Sequence, residues 1–206
     1  MSQYFVIHPD NPQRRLIRQA VDIIRDGGLI AYPTDSSYAL GCQIGDKTAM
    51  ERLRAIRRVS KRHNFTLLCR DLSEIATYAR VDNTSYRLLK QLTPGPYTFI
   101  FKATREVPRR LQHEKRKTIG IRVPDNAIAL MLLEELGEPL MSSTLILPGD
   151  ELPMIEPEEM RDRIGQQLDL IIDGGHCGFE PSTVIDLSGD LPTVIREGRG
   201  EVPNLE

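Results

Sequence analysis

The sequence predicts a single α/β domain built on a twisted, mixed parallel and antiparallel sheet with flanking helices. Three observations carry that prediction. Segments with helical periodicity alternate with short apolar runs through the first two thirds of the chain, the order that places helices between strands of one sheet. Apolar runs then crowd toward the C-terminus as PLMSSTLI, DLIIDGG, STVIDL and PTVIRE, which adds antiparallel partners to a partly parallel set. The 206 residues suffice for one well-filled core, and they contain no internal repeat and no low-complexity linker at which to divide it.

Each element has a local reason. Asn11-Pro12 reads as an N-cap followed by proline at the first helical position, with Leu16, Ala20, Ile23 and Ile24 on one face and Gly27-Gly28 as the stop. The strand GLIAYPT follows directly. Asp46 can cap a second helix whose inward positions are Ala49, Leu53 and Ile56, leaving Arg52, Arg54, Arg57 and Arg58 mostly outward. NFTLLC reads as a short buried strand, DLSEIATYA and NTSYRLLKQL as helices, YTFIFKA and TIGIRVP as strands. NAIALMLLEELG is an amphipathic helix ended by glycine. LPGDELPMIEPEEM, residues 147–160, is rich in proline and acid and reads as a mobile loop or insertion.

Composition excludes several classes. A hydrophobic share of 40% and a charged share of 27%, with mean hydropathy of -0.32, is that of a globular chain, neither disordered nor membrane-embedded. No apolar run reaches the ~18–20 residues of a membrane span, and MSQYFVIHPD lacks a signal-peptide layout, so the expected compartment is the cytoplasm. Cys42, Cys69 and Cys177 form no CxxC pair and read as reduced thiols. The four histidines never occur at metal-site spacing, and His176-Cys177 reads as a loop pair, so no metal site is expected.

Net charge is -2, but its distribution is uneven. Residues 1–122 hold 23 basic and 11 acidic side chains, while residues 123–206 hold 4 and 18. Two clusters dominate the basic half, RLRAIRRVSKRH at 52–63 and KATREVPRRLQHEKRK at 102–117. They point to a polyanion partner, meaning nucleotide phosphates or RNA. With 5% aromatic residues and no Trp, base stacking has few platforms, so shape and phosphate contacts must serve.

GCQIGDKT, residues 41–48, imitates a phosphate-binding P-loop but places Asp46 where the second glycine is required. A carboxylate there would repel phosphate, and the motif is set aside in favour of a helix cap. Four other stretches share a position at strand ends: AYPTDSSYALG, LTPGPYTFI, TIGIRVPDN and PSTVIDL, with Arg196 in VIREG beyond. Strand ends of an open α/β sheet collect ligand sites, because the sheet fixes side chains that converge on a crevice.

The order and spacing of these stretches resemble the YrdC-like domain of threonylcarbamoyl-AMP synthases, over about residues 13–200 of a domain taken as 1–206. The family element PTETxYGLG corresponds to Pro33–Gly41, PGPxT to Pro94–Thr98, RxP to Arg122–Pro124 and STV to Ser182–Val184. Within the family, HNFTLLCRDLSEI is most similar to the YciO branch. The resemblance implies a YrdC-like fold with a basic concave face. It also implies a reaction in which threonine, bicarbonate and ATP give threonylcarbamoyl-AMP and pyrophosphate, toward modification of adenosine in tRNA, with ATP as substrate and Mg²⁺ accompanying catalysis.

On that resemblance Thr34, Ser36, Tyr38, Ser182 and Thr183 bind the small substrate. Arg57, Arg58, Lys61, Arg122, Ser142, Thr144 and Arg196 bind nucleotide. No residue is assigned as catalytic. The chain departs from the family's KxR motif, with Val59 at the lysine and Lys61 at the arginine. It departs again at SxN, which reads Ser142-Ser143-Thr144, and Ser36 and Ala39 stand where the family has threonine and glycine. A second reading stays open beside the synthase, that of a protein holding double-stranded RNA or tRNA through Arg57, Arg58, Lys61 and Arg62. Nothing in the sequence sets an oligomeric state.

Overall fold

The structure is a computed structural model, and it describes residues 1–205. Along the chain it contains β1 (Gln3–Val6), α1 (Arg14–Arg25), β2 (Ile30–Tyr32), β3 (Ala39–Gln43), α2 (Lys47–Arg57), β4 (Thr66–Leu68), α3 (Leu72–Tyr78) and α4 (Asn83–Leu92). There follow β5 (Tyr97–Lys102), a 3-10 turn (Arg109–Leu111), β6 (Thr118–Arg122), α5 (Ala127–Leu136) and β7 (Leu140–Thr144). The chain closes with α6 (Pro157–Ile164), β8 (Leu170–Asp173), β9 (Thr183–Asp186) and β10 (Thr193–Arg196).

The strands form one ten-stranded sheet in the order β1-β8-β2-β3-β7-β4-β6-β5-β9-β10. β8 pairs in parallel with β1 and β2, β4 with β6 and β5 with β9, while the other neighbours are antiparallel. The predicted class, a single α/β domain on a mixed sheet, is the observed one.

The period of two along the strands decides which face is core. Met141, Leu67, Ile121, Phe99 and Ile185 stand side by side across β7, β4, β6, β5 and β9, and all are fully buried. Each such side chain stabilises the fold by about 1.5–3 kcal/mol relative to exposure. One residue along, the opposite face presents Ser142, Thr66, Gly120, Ile100 and Asp186 in the same order. On that face α1 and α5 lay Ile17, Val21, Ile24, Ile128, Leu132 and Leu133 over Ile30, Tyr32, Leu170 and Ile172. Their cover ends at Leu68 and Leu140. Half of the face is helix-covered and half carries small polar residues, which is the geometric origin of the cleft described below.

Capping fixes most helix starts. Asp46, Asp71, Asp82 and Asn126 accept from the backbone N–H of Ala49, Glu74, Ser85 and Ala129, satisfying donors that have no partner inside the helix. The P-loop look-alike is therefore a strand, a turn at Gly45 (φ 82°) and a capped helix. Gly137, at φ 75°, ends α5 as expected.

Several expectations are corrected. α1 begins at Arg14, two residues after the proposed Pro12 start, because Asn11 and Asp10 donate their N–H groups to His8 Nδ1 in a turn. β1 is a strand that the element pattern did not predict, since QYFV is short and does not alternate. Residues 147–160 are not a free insertion. Met154 N–H donates to Leu145 O, Met154 and Met160 are buried, and the segment runs into α6. Arg54 does not face outward: it is buried, 5.1 Å over the Phe65 ring, and paired with Glu51.

Candidate functional site

A cleft of about 540 Å³ opens over the uncovered half of the sheet, a size suited to a small-molecule ligand. Its floor is the row Ser142, Thr66, Gly120 and Ile100, and its walls carry Arg57, Arg116, Arg122 and Arg196. A methyl group on Gly120 would lie 3.3 Å from both Thr66 Oγ1 and Thr98 Cγ2, so glycine keeps the floor low where three strands meet.

The oxygens of AYPTDSSYALG turn inward on one another. Thr34 Oγ1 donates to Ser37 O at 2.6 Å and accepts from the N–H groups of Ser36 and Ser37 at 3.1 and 3.2 Å. This hydroxyl builds the loop. Ser36 Oγ accepts from Arg122 Nη1 at 3.1 Å, and Arg122 Nη2 pairs with Asp35. Asp35 also accepts from Asp125 N–H at 2.8 Å, tying the loop to the end of β6. Tyr38 lies away from the cleft: it is fully buried, its OH donates to Gly175 O at 2.7 Å, and burial raises its pKa.

A second wall comes from the end of α2. Arg58 adopts a left-handed conformation (φ 49°) and stops the helix, so Arg57 is the last helical residue and its guanidinium reaches into the cleft. There Nε donates to Ile146 O at 3.3 Å, and Nη1 contacts Ser143 Oγ and lies 3.1 Å from His63 Nε2. Burial, then the nearby Arg57 and Arg54 charges, push the His63 pKa down to about 4. The ring is neutral near pH 7, and because a guanidinium only donates, the Arg57 contact selects the tautomer with an unprotonated Nε2, which also lies 3.3 Å from Ser143 Oγ. Ser142 Oγ is held 2.5 Å from Tyr32 OH beneath the floor, and Thr144 lines the cleft at the end of β7.

The third wall is the last hairpin. Arg196 Nε and Nη2 donate to Ser182 O at 3.1 and 2.8 Å, and Ser182 Oγ lies 2.7 Å from Thr98 Oγ1. Thr183 is fully buried, donating to Gly200 O and accepting from Gly198 N–H, so it anchors the chain beyond β10.

The four guanidinium groups are not equivalent. Arg122 is matched by Asp35, and Arg116 by Asp186. Arg57 and Arg196 are held by hydroxyl, carbonyl and imidazole acceptors, so their charge stays available to an anion. Among the described residues no three His, Cys, Asp or Glu side chains converge to hold a metal.

Lys61 and Arg62 belong to a separate groove of about 1010 Å³, with Lys47, Arg109, Arg110 and Lys115 among its lining. Four residues, His63, Asn64, Leu111 and His113, line both cavities. Arg58 lines neither. Thr34, Arg57, Arg122, Ser142, Thr144, Ser182 and Arg196 are thus gathered in one cleft, while Tyr38, Thr183, Arg58 and Lys61 stand elsewhere and Ser36 supports Arg122 from below. Sequence reasoning missed His63, Ser143, Thr98 and Gly120. Gly120, a glycine inside a strand pattern, carried a local signal of close approach, and Thr98 and Ser143 lay inside the PGPxT and SxN stretches already singled out.

Comparison with known proteins places this geometry. The family model Sua5_yciO_yrdC, described as telomere recombination, matches residues 22–198. The chain is 63% identical to the protein YciO of Escherichia coli K12 over 98% of both chains. The crystal structure of E. coli YciO matches at a TM-score of 0.95, with 62% identity and 100% of each chain covered. A threonylcarbamoyl-AMP synthase of Nitrosococcus oceani is 33% identical over 77% of this chain and 85% of its own. P. abyssi Sua5 complexed with L-threonine matches at a TM-score of 0.88 and 26% identity, over 96% of this chain and 58% of that one. With its fold, its ordered motifs and these relatives in agreement, the chain belongs to the Sua5_yciO_yrdC family.

Proposed function

We propose that the cleft binds L-threonine and ATP and that the protein is a cytoplasmic synthase of threonylcarbamoyl-AMP. One observation carries this reading: Arg57 and Arg196, which pair with no carboxylate among the described residues, line one cleft with the floor residues Ser142, Thr66, Gly120 and Ile100. The synthase relative and the Sua5 structure with L-threonine support it.

The chemistry asks for such a cleft. Threonine and bicarbonate condense to a carbamate with loss of water, the carbamate oxygen attacks the α-phosphorus of ATP, and pyrophosphate leaves. Negative charge gathers on both reactants, and fixed guanidinium groups lower the cost of bringing them together. Arg57 at the end of α2 and Arg196 on the last hairpin hold the phosphates, while Gly120 keeps the sheet floor low. Among the described residues no three His, Cys, Asp or Glu side chains converge, so any Mg²⁺ would be held chiefly by the phosphates of ATP and water. Thr144 takes the place of the family's amide and Val59 that of its lysine, so this cleft grips nucleotide with different groups.

The test is pyrophosphate release and adenylate formation from ATP, L-threonine and bicarbonate, with each omitted in turn. Turnover no higher than that of an Arg57→Ala/Arg196→Ala double variant sinks the synthase reading.

A second reading rests on the basic groove. Its lysines and arginines, among them Lys47, Lys61, Arg62, Arg109, Arg110 and Lys115, line one groove beside the cleft, and a group of cations of this kind suits the phosphate backbone of double-stranded RNA or tRNA.

A further inference from the structure

The wall at the end of α2 contains an arrangement that the family's motifs do not explain. The KxR lysine position is Val59, and Lys61 lies in the other groove, yet the wall still carries one cation, Arg57. Three acceptors hold that guanidinium: Ile146 O, Ser143 Oγ and His63 Nε2. All three sit on Nε and Nη1, which leaves Nη2 to donate to a ligand.

The kind of acceptor matters more than the number. A carboxylate in the place of His63 would hold Arg57 as well but would cancel its charge, as Asp35 does for Arg122. A neutral imidazole orients the guanidinium and leaves its full charge for a ligand. His63 is itself fixed by edge-on packing against Phe65, with ring centroids 5.2 Å apart. Arg54 lies over the face of the same Phe65 ring, so the aromatic side chain is held in turn and keeps the imidazole in place. Burial and the two arginines hold His63 uncharged.

We propose that His63 is a positioning residue which aims Arg57, and that Arg57 with Ser143 forms a seat for one phosphate group of the nucleotide. This rests on the nucleotide reading of the cleft and deepens it, assigning the phosphate grip to Arg57, Ser143 and His63 where the family uses KxR. The seat recognises the phosphate chain, whereas the amino acid binds elsewhere in the cleft.

Calorimetric titration with inorganic pyrophosphate, with ATP and separately with L-threonine tests it on His63→Gln, His63→Ala, His63→Asp and Arg57→Ala, with melting temperatures recorded for all. Glutamine offers a neutral acceptor, so His63→Gln should bind pyrophosphate within about threefold of wild type, whereas His63→Ala and Arg57→Ala should weaken it about tenfold or more. His63→Asp keeps an acceptor but cancels the charge, and should weaken pyrophosphate at least as much as His63→Ala. L-threonine affinity should be the same in all of them. Unchanged pyrophosphate affinity in His63→Ala, or wild-type affinity in His63→Asp, overturns the seat. So does a parallel loss of pyrophosphate, L-threonine and melting temperature in every variant, which would make His63 a residue of the fold alone. The expected ranking with no L-threonine binding in the wild type upholds the seat and removes the threonine reading.

Discussion

Arg122 and Asp35 face each other between the end of β6 and the loop at residues 33–38, with only 10% and 9% of their side chains exposed. A buried pair of this kind adds little net stability over an apolar pair, but breaking it leaves a charge without compensation. Asp35→Ala should therefore cost about 3–5 kcal/mol in urea unfolding. Among the folded molecules it should raise pyrophosphate affinity, because Arg122 is freed. A variant as stable as wild type, or with lower anion affinity, contradicts this.

Thr34 makes a different demand. Its hydroxyl joins four hydrogen bonds inside the loop, so Thr34→Val keeps the shape and strands two N–H groups. The expected loss is about 1–3 kcal/mol, and Thr34→Ser should restore most of it. Thermal unfolding distinguishes this from a hydroxyl that only touches ligand, for which both variants would melt like wild type.

Gly120 tests the floor. Gly120→Val places two methyl groups where Thr66 and Thr98 already leave 3.3 Å, and they project into the cleft. Ligand affinity should fall by about tenfold or more while the fold survives; circular dichroism and ATP titration read the two separately. Undiminished binding would mean that the ligand does not rest on this row.

Acid stability should carry a signature of His63. Its pKa lies near 4 in the folded chain, below the ordinary 6.5, so between those values the unfolded state takes up the proton first. The contribution is whole above pH 6.5 and is lost as pH falls toward 4. His63→Gln should flatten that part of the melting-temperature profile. Identical profiles for the two proteins would remove the assignment.

For the groove, double-stranded RNA affinity should fall steeply with salt. Neutralising Lys61, Arg62, Lys115 and Arg110 together should reduce the log–log slope by about 0.7–0.9 for each phosphate that these side chains no longer neutralise. A slope that stays the same in the variant, or a flat response in the wild type, removes the RNA reading.

Local signals made much of this molecule legible. Asp46 announced its helix because a cap needs only a few neighbouring residues, and TIGIRVP announced a strand by its own composition. What stayed hidden depends on distant partners. QYFV becomes β1 through pairing with β8, at the far end of the chain. Arg57 was grouped with Arg58 and Lys61 as a phosphate-binding cation, and only β7, bringing Ser143 beside it, separates it from them. The hydroxyls of the loop at residues 34–38 were visible as residue types, yet their direction was not, because Thr34 bonds its own loop and Tyr38 bonds Gly175 across the fold.

The wall shared by the two cavities has a thermodynamic consequence. A ligand that moves His63 or Asn64 from the cleft side changes the surface seen from the groove, and two polyanions lodged on either side repel through that same wall. If nucleotide occupies the cleft and RNA the groove, as proposed, linkage requires that the factor by which nucleotide changes RNA binding equal the factor by which RNA changes nucleotide binding.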